Sequence, residues 1–220
     1  TGTGMPLVAE ALTALASAED PTLAREALRQ ARQALGEDAA RYEPLMELLC
    51  RRATELARLR RLAGSDELTG LANRRAFNLA LDRERARFER GSAGPAVVLI
   101  DLDGMKAIND ELGHAAGDEA LQHTAEALRE AVRASDLVAR LGGDELALLL
   151  PETTAQGARV VAERARRYIE LRSVRGRPLR ASVGWAVTSR RDPEALLATA
   201  DARLYADKRR RRAGASSAAA

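Results

Sequence analysis

Gly142-Gly143 lies between two apolar runs, Leu137 to Leu141 and Glu145 to Leu150. Glycine reaches positive φ without steric cost, so this arrangement predicts a tight β-hairpin. Pro151 ends the second run, because proline cannot donate to a strand ladder. The turn is followed at once by Asp144-Glu145. A hairpin that is only structural more often turns on Asn-Gly and needs no pair of acids at its tip.

A second acidic pair stands at the end of another strand. Ala96 to Ile100 is a short apolar run between Gly94-Pro95 and Asp101-Leu102-Asp103, and it reads as a buried strand. Alternation along a strand places Asp101 and Asp103 on one face. Two adjacent carboxylates repel unless water or a cation lies between them. Mg²⁺ favours a few carboxylate oxygens together with substrate phosphates. An exposed turn after a strand explains the same residues without a metal. If the hairpin pairs beside this strand, however, Asp101 and Asp144 can share one ion. Phosphoryl and nucleotidyl transfer require that arrangement, and a carboxylate there can also take the proton of an attacking hydroxyl.

Between the two acidic pairs lie Lys106, Asn109, Asp110, His114, Gly117 and Asp118. Lys106 follows closely enough to reach a phosphate. Asn109 and Asp118 have the donors and acceptors to read a guanine edge. Each also has an ordinary reading as a cap or surface residue, and Asp118 suits a helix start.

The rest of the chain sorts by texture. Residues 1 to 63 read as helical, with a start at Asp20-Pro21, a stop at Gly36 and a further start or kink at Pro44. Leu45, Leu49, Leu56 and Leu59 form a stripe that Arg52 interrupts. The stripe fits a short coiled coil with a second chain and fits equally a helix packed on its own bundle. Helices are predicted over 74–90, 117–133, 154–171 and from Asp192-Pro193 to about Arg210, with a strand over Leu179 to Val187. The small polar residues from Gly214 to Ala220 read as a disordered tail. The expected organisation is therefore a helical segment (1–63), a layered domain (64–213) and a tail (214–220).

Composition excludes several classes. A single cysteine, Cys50, forbids an internal disulfide and suits a reducing compartment. No apolar run approaches the roughly 20 residues of a membrane span, and nothing reads as a signal peptide, so a cytoplasmic location without membrane attachment is expected. The net charge is only +3, and no basic motif with interleaved aromatics argues for nucleic acid. His114 and His123 are not spaced as a zinc site.

These motifs, in order, resemble the GGDEF domain. The family's opening motif appears as Asp66-Glu-Leu-Thr-Gly-Leu-Ala-Asn73-Arg74-Arg75. Its acidic motif appears as Asp101-Leu-Asp103-Gly-Met105-Lys106-Ala-Ile-Asn109-Asp110, continued by Gly113-His114 and Gly117-Asp118. The signature is Arg140-Leu-Gly142-Gly143-Asp144-Glu145-Leu146. Ser182-Val-Gly184 and Ala200-Asp201 through Tyr205 and Lys208 resemble the closing strand and helix. The resemblance covers residues 66 to about 212. Leu146 and Met105 stand where the family usually has phenylalanine, and Ala213 replaces a frequent asparagine.

The resemblance implies an α/β (α+β) fold, with the mostly antiparallel central sheet of the nucleotide-cyclase and polymerase palm flanked by helices. It implies a diguanylate cyclase that joins two GTP molecules into cyclic di-GMP in a homodimer. Asp101, the Leu102 carbonyl, Asp144 and Glu145 would hold Mg²⁺ or Mn²⁺. Asp144 and Glu145 would be catalytic with Lys106. Asn109, His114 and Asp118 would recognise guanine, Lys208 and Arg212 would grip phosphates, and Gly142 and Gly143 would let the nucleotide approach. Arg133, Asp136 and, by spacing, Arg164 match the family's inhibitory product site; a helix-end salt bridge is the plainer account of the first two. The alternative is a catalytically weak module that binds GTP or cyclic di-GMP and signals through partners.

Overall fold

A computed structural model describes Glu26, residues 28–30 and 32–33, Gly36, residues 39–189 and residues 194–218. The chain divides into two compact units, Thr1–Gly64 and Ser65–Ala220. The starts read at Asp20-Pro21 and Asp192-Pro193 lie outside the described residues.

The first unit contains helix α1 (Ala39–Gly64). Pro44 lies inside this helix and does not start a new one. Among its described side chains, Met46 and Ala53 are buried, seven positions apart and so on one face. Leu59 of the expected leucine stripe is half exposed, and the side chains of Leu45 and Leu56 lie outside the described residues.

The second unit is built on a sheet of order β1-β3-β4-β2-β7. The strands are β1 (Ala72–Asn73), β2 (Ala96–Leu102), β3 (Leu137–Gly142), β4 (Glu145–Leu150) and β7 (Ala181–Val187), with β5 (Ser173–Val174) and β6 (Arg177–Pro178) forming a separate small hairpin. Every pairing is antiparallel except β1 with β3. Around the sheet run α2 (Arg74–Glu89), α3 (Met105–Leu112), α4 (His114–Ala131), α5 (Ala155–Glu170) and α6 (Leu196–Ala218). The mostly antiparallel sheet with flanking helices is the architecture expected from the sequence.

Strand alternation sorts the core into two layers. Val98 and Ile100 of β2 and Leu146, Leu148 and Leu150 of β4 pack with Leu121 and Leu128 of α4 and Ile169 of α5. Val97, Ala147 and Leu149 face the other way, onto Phe77 and Leu81 of α2 and Leu196 and Ala200 of α6. A central strand covered on both faces must be apolar almost throughout, which is why Ala96–Leu102 reads as a continuous run.

Local chemistry sets the helix boundaries. Asn73 Oδ1 accepts from the Ala76 N–H at 3.0 Å, and Thr154 Oγ1 from the Gly157 N–H at 3.2 Å, each satisfying an orphan donor of a first turn. Gly184 admits close packing of α6 on β7: a Cβ there would lie 2.2 Å from the Ala200 carbonyl oxygen. The last helix runs to Ala218, through most of the segment read as a disordered tail. Its alanines are strong helix formers, and no proline interrupts them. Among the described residues no helix is long and apolar enough to cross a membrane.

Candidate active site

β2 remains paired on both sides as far as Asp101, and Leu102 still pairs with Ala181 of β7. There Asp101 lies between Glu145 of β4 and Ser182 of β7. Its side chain is buried, and its two carboxylate oxygens accept from Lys208 Nζ at 2.7 and 2.8 Å. Burial pushes the Asp101 carboxyl above its ordinary range. The hydrogen bond from Lys208 opposes that rise, while the charges of Asp144 and Asp103 reinforce it.

Asp103 departs from the expected alternation. The strand stops at Leu102, and Asp103 belongs to the turn that follows. Its N–H donates to the Arg180 carbonyl at 2.8 Å, and its carboxylate accepts from Ser182 Oγ at 2.8 Å. The turn ends at Gly104, whose φ of 77° starts α3. That helix was missed in the sequence: at eight residues it is too short to display a helical period.

The hairpin turns one residue later than the glycine pair suggested. Gly142 is still paired with Glu145, and the ladder is irregular between Arg140 and Gly142, so Gly143 and Asp144 make the turn. Gly143 takes a φ of +51°. The Asp144 carbonyl accepts from the Leu102 N–H at 3.3 Å, which ties the turn to the end of β2. Arg140 Nε and Nη2 donate to the Gly143 carbonyl at 3.0 and 2.9 Å. Its Nη1 lies 3.2 Å from both carboxylate oxygens of Asp66. Burial works to raise the Asp66 carboxyl, but the Thr69 hydroxyl and N–H and the Arg140 guanidinium hold it below its ordinary range. Glu145 stands 3.3 Å from Arg74 Nη2 and is exposed.

One cavity of about 460 Å³ is lined by Lys106, Asn109, His114, Asp118, Gly143 and Asp144, with Arg140 and Gly117 among its other walls. α3 and the start of α4 supply the polar groups, and the hairpin turn supplies the acid. Asn109 lies directly over Gly117, where an added Cβ would be 2.0 Å from Asn109 Oδ1.

Other expected site residues lie elsewhere. Lys208 reaches Asp101 from α6. Arg212 is exposed and forms no ion pair among the described residues. Arg211 is the arginine near the acidic strand end, with Nη1 4.0 Å from Asp103 and Nη2 2.8 Å from Glu170. Arg133 Nε donates to Asp136 at 2.9 Å, and its Nη2 to the Pro151 carbonyl at 2.8 Å. Both residues line a smaller cavity of about 310 Å³ with Arg129. Arg164 Nε donates to the Ala131 carbonyl at 2.7 Å, at the end of the helix that leads to Arg133.

Sequence reasoning missed the roles of Asp66, Arg74, Arg140 and Arg211. Three of them were visible inside quoted motifs, but a pairing between residues 74 positions apart has no linear signal. Among the described residues no three His, Cys, Asp or Glu side chains gather into a metal cage. The donor set nevertheless fits a hard cation completed by water and phosphate: a buried carboxylate with raised proton affinity beside a second one.

The family model "Diguanylate cyclase, GGDEF domain" matches residues 63–214. Diguanylate cyclase DgcP of Pseudomonas aeruginosa is 37% identical over 155 residues, covering 68% of this chain and 23% of that protein. The chain thus spans about a quarter of that relative's length. Among solved structures, diguanylate cyclase SiaD from Pseudomonas aeruginosa, in complex with its activator SiaC, superposes with a TM-score of 0.69 at 34% identity. That match covers 86% of this chain and 73% of SiaD. The GGDEF domain of DgcB from Caulobacter crescentus, in complex with c-di-GMP, gives a TM-score of 0.61 at 33% identity, covering 67% and 88%.

Proposed function

Because the chain belongs to the GGDEF family, we propose that it is a diguanylate cyclase, condensing two GTP molecules into cyclic di-GMP with release of two pyrophosphates. The observation that supports this best is the cavity that gathers Lys106, Asn109, His114, Asp118 and Asp144 beside the buried carboxylate of Asp101. DgcP carries the same activity in its name, and DgcB was solved with the product.

In this reading Asn109, His114 and Asp118 bind and orient the guanine. Lys106 offsets charge that develops on the phosphates. Asp101, the Leu102 carbonyl, Asp144 and Glu145 would hold a divalent cation, Mg²⁺ or Mn²⁺. The cation supplies charge neutralisation on the phosphate oxygens. Lys208 leaves Asp101 and, with Arg212, takes up the terminal phosphates. Asp144 accepts the proton of the 3′-hydroxyl as its oxygen bonds to the α-phosphorus of the other GTP. The bond from that phosphorus to the β-phosphate oxygen breaks, and pyrophosphate leaves. The step occurs once in each direction, so two domains must face each other. Residues 1–63 serve to hold two copies near one another and raise their effective concentration.

Cyclic di-GMP would bind in turn at Arg133, Asp136 and Arg164 and slow the enzyme. The reaction is cytoplasmic, where its substrate is made.

Incubating the protein with GTP and Mg²⁺ tests the reading. Cyclic di-GMP and pyrophosphate should appear in a ratio of one to two. Bound GTP with no product would leave only the nucleotide-binding module. Arg133→Ala should raise the amount of product at which synthesis stops. An unchanged plateau would remove the inhibitory site from the account.

A further inference from the structure

A second concavity of the Ser65–Ala220 unit is separate from the one that holds Asp144. It lies between α5, β7 and α6, has a volume of about 670 Å³, and shares no lining residue with the catalytic cavity. Small-molecule sites commonly fall between roughly 300 and 1,000 Å³. Its walls carry five arginines: Arg159 and Arg166 from α5, and Arg203, Arg209 and Arg210 from α6. Only Glu163 and Asp207 oppose them there.

Three of the arginines, Arg166, Arg203 and Arg210, are held in place by hydrogen bonds. Asp207 is buried and serves as a common anchor. Its Oδ2 accepts from Arg166 Nη2 at 2.6 Å and from the Val183 N–H at 3.0 Å, and its Oδ1 from Arg210 Nη2 at 3.2 Å. Arg203 is fixed differently. Its Nη1 donates to the Trp185 carbonyl at 2.7 Å, and its guanidinium carbon lies 4.7 Å from the Trp185 ring centre. The close approach of α6 to Gly184 brings these groups over β7. Arg209 makes no ion pair among the described residues and is exposed. One buried carboxylate therefore orients two of the five guanidiniums through a single nitrogen of each, an arrangement that lowers the cost of ordering them around a ligand.

We propose that this cavity is a second anion site, specific for a ligand with a chain of two or more phosphates. Guanidinium forks match phosphate oxygens in pairs, so several fixed arginines favour a polyphosphate over a single carboxylate or chloride. The concave shape favours a small molecule over an acidic protein segment. A nucleoside polyphosphate and an inorganic polyphosphate share this chemistry.

Trp185 is the single tryptophan of the chain and lines this cavity, so its fluorescence can follow binding there. The experiment titrates the full chain, without divalent ions, with phosphate, pyrophosphate, tripolyphosphate, ATP and a poly-glutamate peptide. The expected result is a saturable change whose affinity rises with the number of phosphates and survives in Asp144→Ala. ATP binding more tightly than tripolyphosphate would identify a nucleotide; equal binding would identify the phosphate chain alone. Arg159→Ala and Arg209→Ala, both at exposed positions, should each weaken binding about tenfold, the scale of one lost charged contact. Three results would overturn the site: no response at millimolar ligand, a response both variants retain, or a response to poly-glutamate alone.

Discussion

Lys208 Nζ lies 2.7 and 2.8 Å from the two carboxylate oxygens of Asp101, so the ammonium covers the buried acid at the end of β2. The two residues are 107 positions apart and belong to the last helix and to β2. In the proposed mechanism the same carboxylate binds a cation and the same ammonium binds phosphate. The ion pair is then the resting arrangement of groups that separate when metal and nucleotide arrive.

Lys208→Met should therefore have two opposite effects. Stability should fall by about 2 kcal/mol, short of the full loss for a buried pair because Lys208 keeps part of its side chain in water. Denaturant unfolding measures this. Mn²⁺ binding without nucleotide should become tighter, because no ammonium competes. Unchanged Mn²⁺ affinity in calorimetry would mean that Lys208 and the ion do not share Asp101.

Gly117→Ala tests the guanine pocket without removing any polar group. The added Cβ would lie 2.0 Å from Asn109 Oδ1, so the amide must rotate away while α4 keeps its backbone. KM for GTP should rise about tenfold, the effect of losing one hydrogen bond to the base and leaving its partner unmet. Circular dichroism should show the fold intact. An unchanged KM would take Asn109 out of base recognition.

Asp66 predicts a pH dependence of stability. Its carboxyl is held below the ordinary range in the folded chain, chiefly by Thr69 and Arg140 against the opposing effect of burial. Such a group contributes stability above its unfolded pKa, and the contribution is lost as pH falls through the folded value. Asp66→Asn should thus be less stable than the parent at neutral pH, with a difference that shrinks on acidification. A difference independent of pH would assign the effect to packing.

Leu146 is fully buried and adjoins a cavity of about 360 Å³ that Phe77, Leu99 and Leu141 also line. The family usually has phenylalanine at this position. The Leu146 side chain, however, packs in the α4–α5 layer, on the face away from Phe77 and Leu99, so Leu146→Phe should overpack that layer and lower stability by about 1 to 3 kcal/mol in denaturant unfolding. Stability equal to the parent's or above it would show that this layer has room for the ring.

The palm-like sheet was legible because each central strand is apolar along its whole length and the hairpin is marked by glycine. The candidate cavity was legible residue by residue, since Lys106, Asn109, His114, Asp118 and Asp144 all line it. The turn was misplaced by one residue, because a bulge after Arg140 is invisible to alternation. The contacts of Arg140 with Asp66, of Lys208 with Asp101, and of Arg211 with Asp103 and Glu170 were not legible. They join distant segments, and no periodicity encodes which of two neighbouring arginines turns inward. The arginine cavity was hidden for the same reason: its groups come from two helices and a strand.

In the proposed mechanism Asp144, presented by the hairpin turn beside Asp101, performs the chemistry. The most direct test of this role measures both GTP binding and cyclic di-GMP formation in Asp144→Ala with Mg²⁺ present. The variant should fold, still bind GTP through Asn109, His114 and Asp118, and make no cyclic di-GMP. Turnover equal to that of the parent protein would contradict the mechanism.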